Sequence, residues 1–243
     1  MILSKLERPF TGSSLAHIAV EVGEKEDVRR ICDDEEDYMF DWNERVEGED
    51  PAILWALKNA KFEVVDILMA VSKVNLQGDP SADLTIYCDS ETFRVHKYFF
   101  SSKSPVFSAM LNSDMREARE GEIYMKDMNS STISSMIHFI YTGELTDGWQ
   151  DLEIEDMASA ADFYNLPDWM RLFCSKLRTE GEVSAARVAE IISAGCRYQY
   201  SVARELRWVA RERIRLRREI TEDPAFREKL RGDDALFELL ALM

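Results

Sequence analysis

The sequence is poor in the side chains that most often bind metals or act as catalysts. It contains three histidines and four cysteines in 243 residues, and they are scattered along the chain. The cysteines form no C-x-x-C pair, and they are Cys32, Cys88, Cys174 and Cys196. Because zinc sites usually take at least two ligands from closely spaced positions, we predict no metal centre and no other cofactor. We expect the thiols to be reduced and mostly buried.

Long apolar runs are also missing. No stretch approaches the roughly 20 uncharged apolar residues of a membrane-spanning helix. The opening MILSKLERPFTG lacks the apolar core of a secretory signal peptide. Hydrophobic residues make up 46% of the chain and aromatic residues 10%, which is typical of a folded protein. We therefore expect a soluble protein of the cytoplasm, the nucleus or both.

Positive charge is scarce, with 30 basic against 46 acidic residues and a net charge of −16. Such a field repels phosphate backbones, so nucleic-acid binding is disfavoured. The exception is the locally basic stretch RELRWVARERIRLRRE, residues 204–219. Such a stretch is more commonly a solvated helix face with Arg–Glu pairs, and a phosphate-binding face is the alternative. For its arginine excess the remaining role is contact with an acidic partner, of which the acidic first third of this chain is one candidate.

The first segment, residues 1–77, contains a faint internal repeat. HIAVEVGEKEDVRRI (17–31) aligns with LWALKNAKFEVVDIL (54–68), and each unit predicts a helix, a turn near Gly23 or Ala60, and a second helix. These units resemble ankyrin repeats, and an ordinary helical appendage is the alternative. Between them lies the acidic loop Asp33 to Asp50, which is either a target-binding surface or a solvated connection.

The breaker cluster QGDPSAD, residues 77–83, marks the start of a second segment, residues 78–180. LTIYCDSETFRVH predicts a β-hairpin, and GEIYMKD predicts a third strand. Predicted helices begin at Lys97, at Pro105 and at the serines of SSTISSMIHFIYTG. Two further predicted helices are separated at Pro167. The fold class is therefore α+β. The third segment, residues 181–243, is predicted all-helical, with a helix pair that breaks near Gly195 and further helices at DPAFREKL and DDALFELLALM.

The stretch FRVHKYFFSSKSPVFSAML (93–111) places a histidine close to several serines. A catalytic serine needs a base within hydrogen-bond reach and a third group that orients the base. These serines fall on predicted helices and their joints, and the chain contains no G-x-S-x-G motif. We predict that His96 is structural and that the protein is not an enzyme. A hydrolase built on His96 and Ser104 is kept as a formal alternative.

Four motifs in this segment occur in a recognisable order: F-x-V-H-K, S-P-V-F-S-A-M, F-I-Y-T-G and A-A-D-x-Y-x-L. Together they resemble a BTB/POZ domain from Ala82 to about Leu177. The helical extension that follows is similar to that of the speckle-type POZ adaptors. The part after Val183 resembles their 3-box helix pair, whose packing side here is Ala185, Val188, Ile191 and Ile192.

The resemblance implies a homodimer. BTB domains usually dimerise through their first helices and an acid–base pair near the two-fold axis, and Asp83 and Lys97 match that pair. The alternative for these two residues is an ion pair within one chain that stabilises the fold.

The resemblance also implies binding to cullin-3, the scaffold of a ubiquitin ligase, through a hydrophobic-x-glutamate motif. Met115-Arg116-Glu117 stands at the matching place. Met115 would enter a cullin pocket, and Glu117 would accept hydrogen bonds at its edge. Tyr141 is the expected aromatic anchor, with Phe107 and Met110 preceding the motif. For a methionine or an aromatic residue at helical spacing, a place in the core is the default alternative.

The leading hypothesis is a dimeric adaptor whose ankyrin-like segment holds a target protein while the BTB and 3-box-like helices recruit cullin-3. The target and the residues that bind it are not specified by the sequence. The second hypothesis is a dimeric scaffold or transcriptional co-regulator that does not bind a cullin.

Overall fold

The computed structural model describes residues 15–33, 51–71, 80–89, 91–179, 183–198, 200–216 and 218–230. The chain divides into two compact units, Met1–Leu76 and Gln77–Met243. Residues 34–50 of the acidic loop and the predicted helix DDALFELLALM lie outside the described residues. In the part that is described, every helix falls short of the length and apolar character that crossing a bilayer requires.

The first unit contains two helical hairpins, as the internal repeat predicts. Their helices are α1 (Leu15–Val22), α2 (Lys25–Asp33), α3 (Ala52–Lys58) and α4 (Phe62–Val71). Equivalent positions of the two copies are buried alike, with Ala19 and Ala56 at most 1% exposed and Val28 and Val65 fully enclosed. The turn of the second hairpin contains Ala60 in the left-handed region, at φ 55°.

Lys61 joins the two hairpins. Its Nζ donates hydrogen bonds to the carbonyl oxygens of Val20 at 2.7 Å and Glu21 at 2.9 Å. These carbonyls belong to the last turn of α1, where the helix provides no N–H partners of its own. An ammonium group at a helix C-terminus also interacts favourably with the helix dipole. The second hairpin thus caps a helix of the first.

The second unit begins with a three-stranded sheet in the order β2-β1-β3. The predicted hairpin is confirmed as β1 (Leu84–Cys88) and β2 (Glu91–Val95), paired antiparallel. The predicted third strand is β3 (Glu122–Tyr124), which runs parallel to β1 with Ile86 opposite Ile123. Every second residue of β1 is buried, so one face of the sheet packs on the core.

Six helices follow or interrupt the sheet: α5 (Lys97–Lys103), α6 (Pro105–Leu111), α7 (Arg116–Glu120), α8 (Ser130–Thr142), α9 (Ile154–Phe163) and α10 (Pro167–Thr179). A 3₁₀ turn, Trp149–Asp151, precedes α9. Large enclosed side chains from the helices fill the core, among them Phe99, Phe100, Phe107, Trp169 and Phe173. A small sheet packed with helices confirms the predicted α+β class.

The start of α8 differs from its predicted cap. The N-cap residue is Asn129, whose Oδ1 accepts the backbone N–H of Ser131 at 3.0 Å, and the serines lie inside the helix. Asparagine is favoured at the N-cap because its short side chain reaches the free N–H groups of the first turn. The predicted stop is confirmed, since Gly143 ends the helix at φ 69°.

The helical extension consists of α11 (Ala185–Arg197), α12 (Tyr200–Leu216), a 3₁₀ turn (Arg218–Glu222) and α13 (Pro224–Lys229). The predicted helix pair is confirmed, and its break follows Arg197, close to Gly195, which itself lies in the last turn of α11. A Cβ built on Gly195 would stand 3.1 Å from Cγ of Arg207 and 3.3 Å from its backbone nitrogen. This glycine therefore permits the close approach of α12 to α11.

Polar contacts hold the extension against α9 and α10. Arg197 pairs with Glu155 at 2.7 Å, and the Tyr198 hydroxyl donates to the same carboxylate at 2.8 Å. The buried guanidinium of Arg213 donates to the Leu177 carbonyl near the end of α10. Of the predicted packing side of α11, three residues are at most 1% exposed and Ala185 is half-buried; the three are Val188, Ile191 and Ile192.

Candidate functional site

An open groove lies beside α6. Its cavity volume is about 490 Å³, and its lining is predominantly apolar: Pro105, Val106, Ala109, Met110, Met115 and Asn165. Met115 is 55% exposed, which excludes a place in the core of this chain. A flexible thioether at the edge of an apolar groove suits the irregular surface of a protein partner. The structure thus brings together two of the predicted site residues, Met110 and Met115.

Ser104 fixes the shape of this groove. Its hydroxyl donates to the Tyr164 carbonyl at 2.6 Å and accepts the backbone N–H of Phe107 at 3.1 Å, which makes it the N-cap of α6. Tyr164 immediately precedes Asn165, which turns the chain at φ 50° between α9 and α10. Below the groove the rings of Phe107 and Tyr164 stack at 4.4 Å. The side chain of Ser104, which is 1% exposed, therefore joins α6 to the turn between α9 and α10, and these are the two walls of the groove.

Replacing Ser104 by alanine is expected to lower the free energy of unfolding by about 2–4 kcal/mol. The change removes the cap on the Phe107 N–H, at about 1 kcal/mol, and leaves the buried Tyr164 carbonyl without this donor, at about 1–3 kcal/mol. Urea unfolding followed by circular dichroism measures the loss. Ser108→Ala is the matched control, because among the described residues its hydroxyl has a single hydrogen bond, from the exposed Asn112 amide at 3.3 Å. Equal losses for the two variants would contradict the assigned role of Ser104.

Phe107 and Tyr141 do not form part of the surface. Phe107 is fully enclosed between Phe100 and Tyr164, and Tyr141 is only 4% exposed. Their burial favours the alternative of a place in the core over direct contact with cullin-3. Both pack against aromatic rings of α5, Phe107 on Phe100 and Tyr141 on Phe99. Phe107 supports the groove from beneath.

Glu117 lies in the first turn of α7, two residues after Met115. Its side chain is half-buried, and its carboxylate forms no hydrogen bond or ion pair with any residue that the structure describes. The carboxylate is thus available to accept hydrogen bonds from a partner. Arg116, between the two, pairs with Glu120 at 3.3 Å and lies 5.4 Å from the centre of the Tyr124 ring.

Asp83 and Lys97 lie together, although not as a pair of charged side chains. Oδ1 of Asp83 accepts the backbone N–H of Lys97 at 2.8 Å, at the start of α5. The Lys97 ammonium donates instead to the Ala118 carbonyl of α7 at 3.1 Å. Gly121 ends α7 with φ 67°, and a Cβ there would stand 3.0 Å from the Asp83 carbonyl oxygen. The predicted dimer residues are thus connected to the helix that carries Glu117.

Two exposed aromatic features of this region have no counterpart in the sequence prediction. Tyr87 and Tyr124 stack at 4.8 Å, and both hydroxyls donate to the Glu122 carboxylate, at 3.3 and 2.9 Å. The Glu122 charge raises the pKa of Tyr87, and the hydrogen bond from Tyr124 to Glu122 raises the pKa of Tyr124. The second feature is Phe163, 63% exposed at the end of α9, next to the turn that lines the groove. The alternation of side chains in GEIYMKD indicates that Tyr124 faces outward. Its stacking partner Tyr87 could not be predicted, because it depends on the pairing of β1 with β3.

The proposed histidine–serine pair is not formed with Ser104. His96 is 2% exposed, and its Nε2 lies 3.0 Å from the hydroxyl of Ser81. Its Nδ1 is 2.8 Å from the hydroxyl of Tyr141, which also accepts the His96 backbone N–H at 2.9 Å. A hydroxyl that accepts this N–H can direct its own proton to Nδ1, which leaves the ring proton on Nε2 facing Ser81. With the tautomer assigned in this way, the buried ring is satisfied and Nε2 is a donor to Ser81 and not a base.

Two cysteines are buried as predicted, Cys88 and Cys174, whereas Cys32 and Cys196 are half-buried. Burial raises the pKa of Cys174 to about 12, so this group stays a thiol at neutral pH. Among the described residues, no three histidine, cysteine, aspartate or glutamate side chains are grouped in a way that could hold a metal ion.

Comparison with known proteins agrees with the motif order. Residues 73–181 match the family model of the BTB/POZ domain. The mouse TD and POZ domain-containing protein 4 is 30% identical over 115 residues, which cover 46% of this chain and 31% of the relative. The matched region thus spans about a third of that protein's length.

Two solved structures were also compared. The BTB domain of zebrafish PATZ1 is 16% identical, with a TM-score of 0.35, and the match covers 42% of this chain and 80% of that one. The BTB domain of human gigaxonin is 21% identical, with a TM-score of 0.34 over 40% of this chain and 79% of the other. The family model and the motifs from F-x-V-H-K to A-A-D-x-Y-x-L establish that this chain contains a BTB/POZ domain, at residues 73–181.

Proposed function

We propose that the protein is a dimeric substrate adaptor that recruits a target to a cullin-3 RING ubiquitin ligase. The observation that supports this most is the apolar groove edged by an exposed Met115, with the free carboxylate of Glu117 two residues away. BTB domains mediate dimerisation and protein binding, and members of the family are generally non-enzymatic scaffolds. A scaffold or adaptor role is consistent with this domain.

The groove fits a helix or strand that presents an apolar residue to Met110 and Met115. A hydrogen-bond donor next to that residue would reach the Glu117 carboxylate, and bonds to a charged acceptor are stronger than neutral ones. Phe163 offers a further apolar contact at the rim. Exposed apolar side chains around a concave apolar patch are the usual composition of an interface centre.

The helical extension supports the same proposal. Its helices α11 and α12 pack on α9 and α10 through the contacts of Arg197, Tyr198 and Arg213, so they form one body with the groove-bearing domain. We assign them the role of the 3-box pair, which enlarges the cullin-binding groove in the speckle-type POZ adaptors that this segment resembles.

The first unit is assigned to the target. Its two hairpins repeat the same buried positions, which supports the ankyrin-like interpretation, and Lys61 ties them together. A cavity of about 430 Å³ opens between their turns, lined by residues 23–25 and 60–64. Phe62, at its edge, is 48% exposed. An exposed aromatic side chain beside a concavity is a suitable anchor for a protein target.

Titration of the full chain with the N-terminal region of cullin-3 tests the proposal. We expect saturable binding with one cullin per protomer and a dissociation constant in the micromolar range or below, measured by isothermal titration calorimetry. Absence of binding at micromolar concentrations, with the protein folded and dimeric, would overturn the adaptor role. That result would leave the dimeric scaffold or co-regulator as the function of the domain.

A further inference from the structure

One face of α12 carries a stripe of arginine around a tryptophan. Arg204, Trp208, Arg211 and Arg215 recur at spacings of four, three and four residues, which places them on one side of a helix. All four are exposed: the side chains of Arg204 and Arg215 to 78%, and Trp208 to 43%. At 1.5 Å per residue this basic stripe is about 16 Å long.

Trp208 is held in place by a neighbouring helix. The guanidinium of Arg178, on α10, lies 4.3 Å from the centre of the indole ring, within the range of a cation–π contact. This contact covers part of one ring face and adds a fifth member to the stripe. A large aromatic ring that is fixed yet still exposed loses little conformational entropy when a partner covers it.

The arginines of the stripe are only weakly neutralised. Two ion pairs are formed there with described residues, Arg204 with Glu205 at 3.9 Å and Arg215 with Glu212 at 3.8 Å, and both are close to the limit of direct contact. Arg211 has no ion pair among the residues that the structure describes. Solvated pairs of this kind contribute little to stability, so their carboxylates are readily exchanged for others.

We propose that the basic stripe of α12 binds an acidic segment of a partner protein that carries an apolar or aromatic residue among its carboxylates. Guanidinium groups bind carboxylates through two parallel hydrogen bonds, and the exposed indole provides the apolar contact between them. A length of about 16 Å corresponds to roughly five residues of extended peptide. The expected motif is therefore acidic at both ends with the apolar residue near its middle.

The negative charge of the whole chain favours binding of a short acidic peptide over binding of a long phosphate polymer. A net charge of −16 repels polyanions that extend beyond the stripe. At physiological ionic strength a charge acts over about 8 Å, so a short peptide on the stripe interacts mainly with the arginines. This surface is on α12, and the proposal does not depend on cullin binding at the α6 groove.

Fluorescence anisotropy tests the proposal with the full chain and a fluorescein-labelled peptide in which glutamates surround one phenylalanine. We expect saturable binding that weakens about tenfold for Arg204→Glu/Arg211→Glu and disappears in half-molar salt. Trp208→Ala should weaken binding several-fold, and a peptide with alanine in place of phenylalanine should reproduce that loss. The matched control is Arg29→Glu/Arg30→Glu on the exposed side of α2, which changes the net charge equally and should leave the affinity unchanged.

If the α2 control weakens peptide binding as much as Arg204→Glu/Arg211→Glu does, net charge alone explains the loss and the proposal is overturned. Tighter binding of oligothymidine or of phosphatidylserine vesicles than of the peptide would also overturn it. Thermal unfolding of each variant separates lost binding from lost folding. The arginine variants should match the original chain because their side chains are exposed, and Trp208→Ala should remain folded with a slightly lower midpoint because it loses the contact with Arg178.

Discussion

Replacing Met115 by aspartate is expected to weaken binding of the cullin-3 N-terminal region by about 3 kcal/mol, roughly a hundredfold in Kd. The substitution places a carboxylate at the edge of an apolar groove, where a bound partner would strip it of water without providing a counter-charge. Calorimetric titration of the variant against the original protein measures the change. Met115→Leu, which keeps the apolar contact, should stay within a few-fold of the original affinity.

The same substitution should not damage the fold. Met115 is 55% exposed and is the N-cap residue of α7, where it makes no side-chain capping hydrogen bond. Aspartate is among the best N-cap residues, so the free energy of unfolding should stay constant or rise by up to about 1 kcal/mol. Loss of binding together with equal or greater stability would separate the two effects. An unfolded product would show instead that the methionine supports the core.

Phe62→Asp is the matched control for the introduced charge, because Phe62 is also a large exposed apolar residue, but in the first unit. It should leave cullin binding intact. If both aspartate variants bind cullin-3 as the original does, the hydrophobic-x-glutamate segment is not its binding site.

Local features of this fold could be predicted because they depend on neighbouring residues. The hairpin at Asp89, the start of α6 at Pro105 and the stop of α8 at Gly143 all follow from backbone preferences of the residues concerned. The repeat in the first unit could be predicted for the same reason, since its apolar positions recur at helical spacing.

Burial of individual site residues could not be predicted in the same way. Phe107, Met110 and Met115 lie within nine positions, and each is apolar, yet the first is enclosed, the second half-buried and the third exposed. For Phe107 and Met110 the difference depends on which side of α6 faces the Tyr164 turn, a contact between residues far apart in the sequence, whereas Met115 lies beyond α6 as the N-cap of α7. The break near Gly195 could be predicted, but the packing role of this glycine could not, because it depends on the approach of α12.

The second large effect concerns the dimer. If Asp83 of one protomer pairs with Lys97 of the other in a desolvated interface, Asp83→Lys and Lys97→Asp should each cost about 3–5 kcal/mol of dimerisation free energy. In a homodimer of either variant, the changed residue of one protomer would face a residue of the same charge in the other. Sedimentation velocity at micromolar concentration should find the original protein dimeric and both variants monomeric.

Asp83→Asn controls for the contact that Asp83 makes within its own chain. The amide oxygen of asparagine can still accept the Lys97 backbone N–H at the start of α5, so the fold should persist while the charge is lost. The intermediate outcome, a weakened dimer of normal thermal stability, would show that the charge of Asp83 acts between chains.

Mixing the two charge-reversal variants distinguishes a pair between chains from a pair within one. In a mixed dimer, the lysine introduced by Asp83→Lys would face the aspartate introduced by Lys97→Asp in the other chain. The second contact would retain the original Asp83 and Lys97, so both contacts are attractive. Within a single chain each variant would keep its own like charges, and mixing could not relieve them. A heterodimer that forms from two monomeric variants therefore requires pairing across the interface. Because Lys97 also donates to the Ala118 carbonyl of α7, the restored dimer should bind cullin-3 less well on the Lys97→Asp protomer alone.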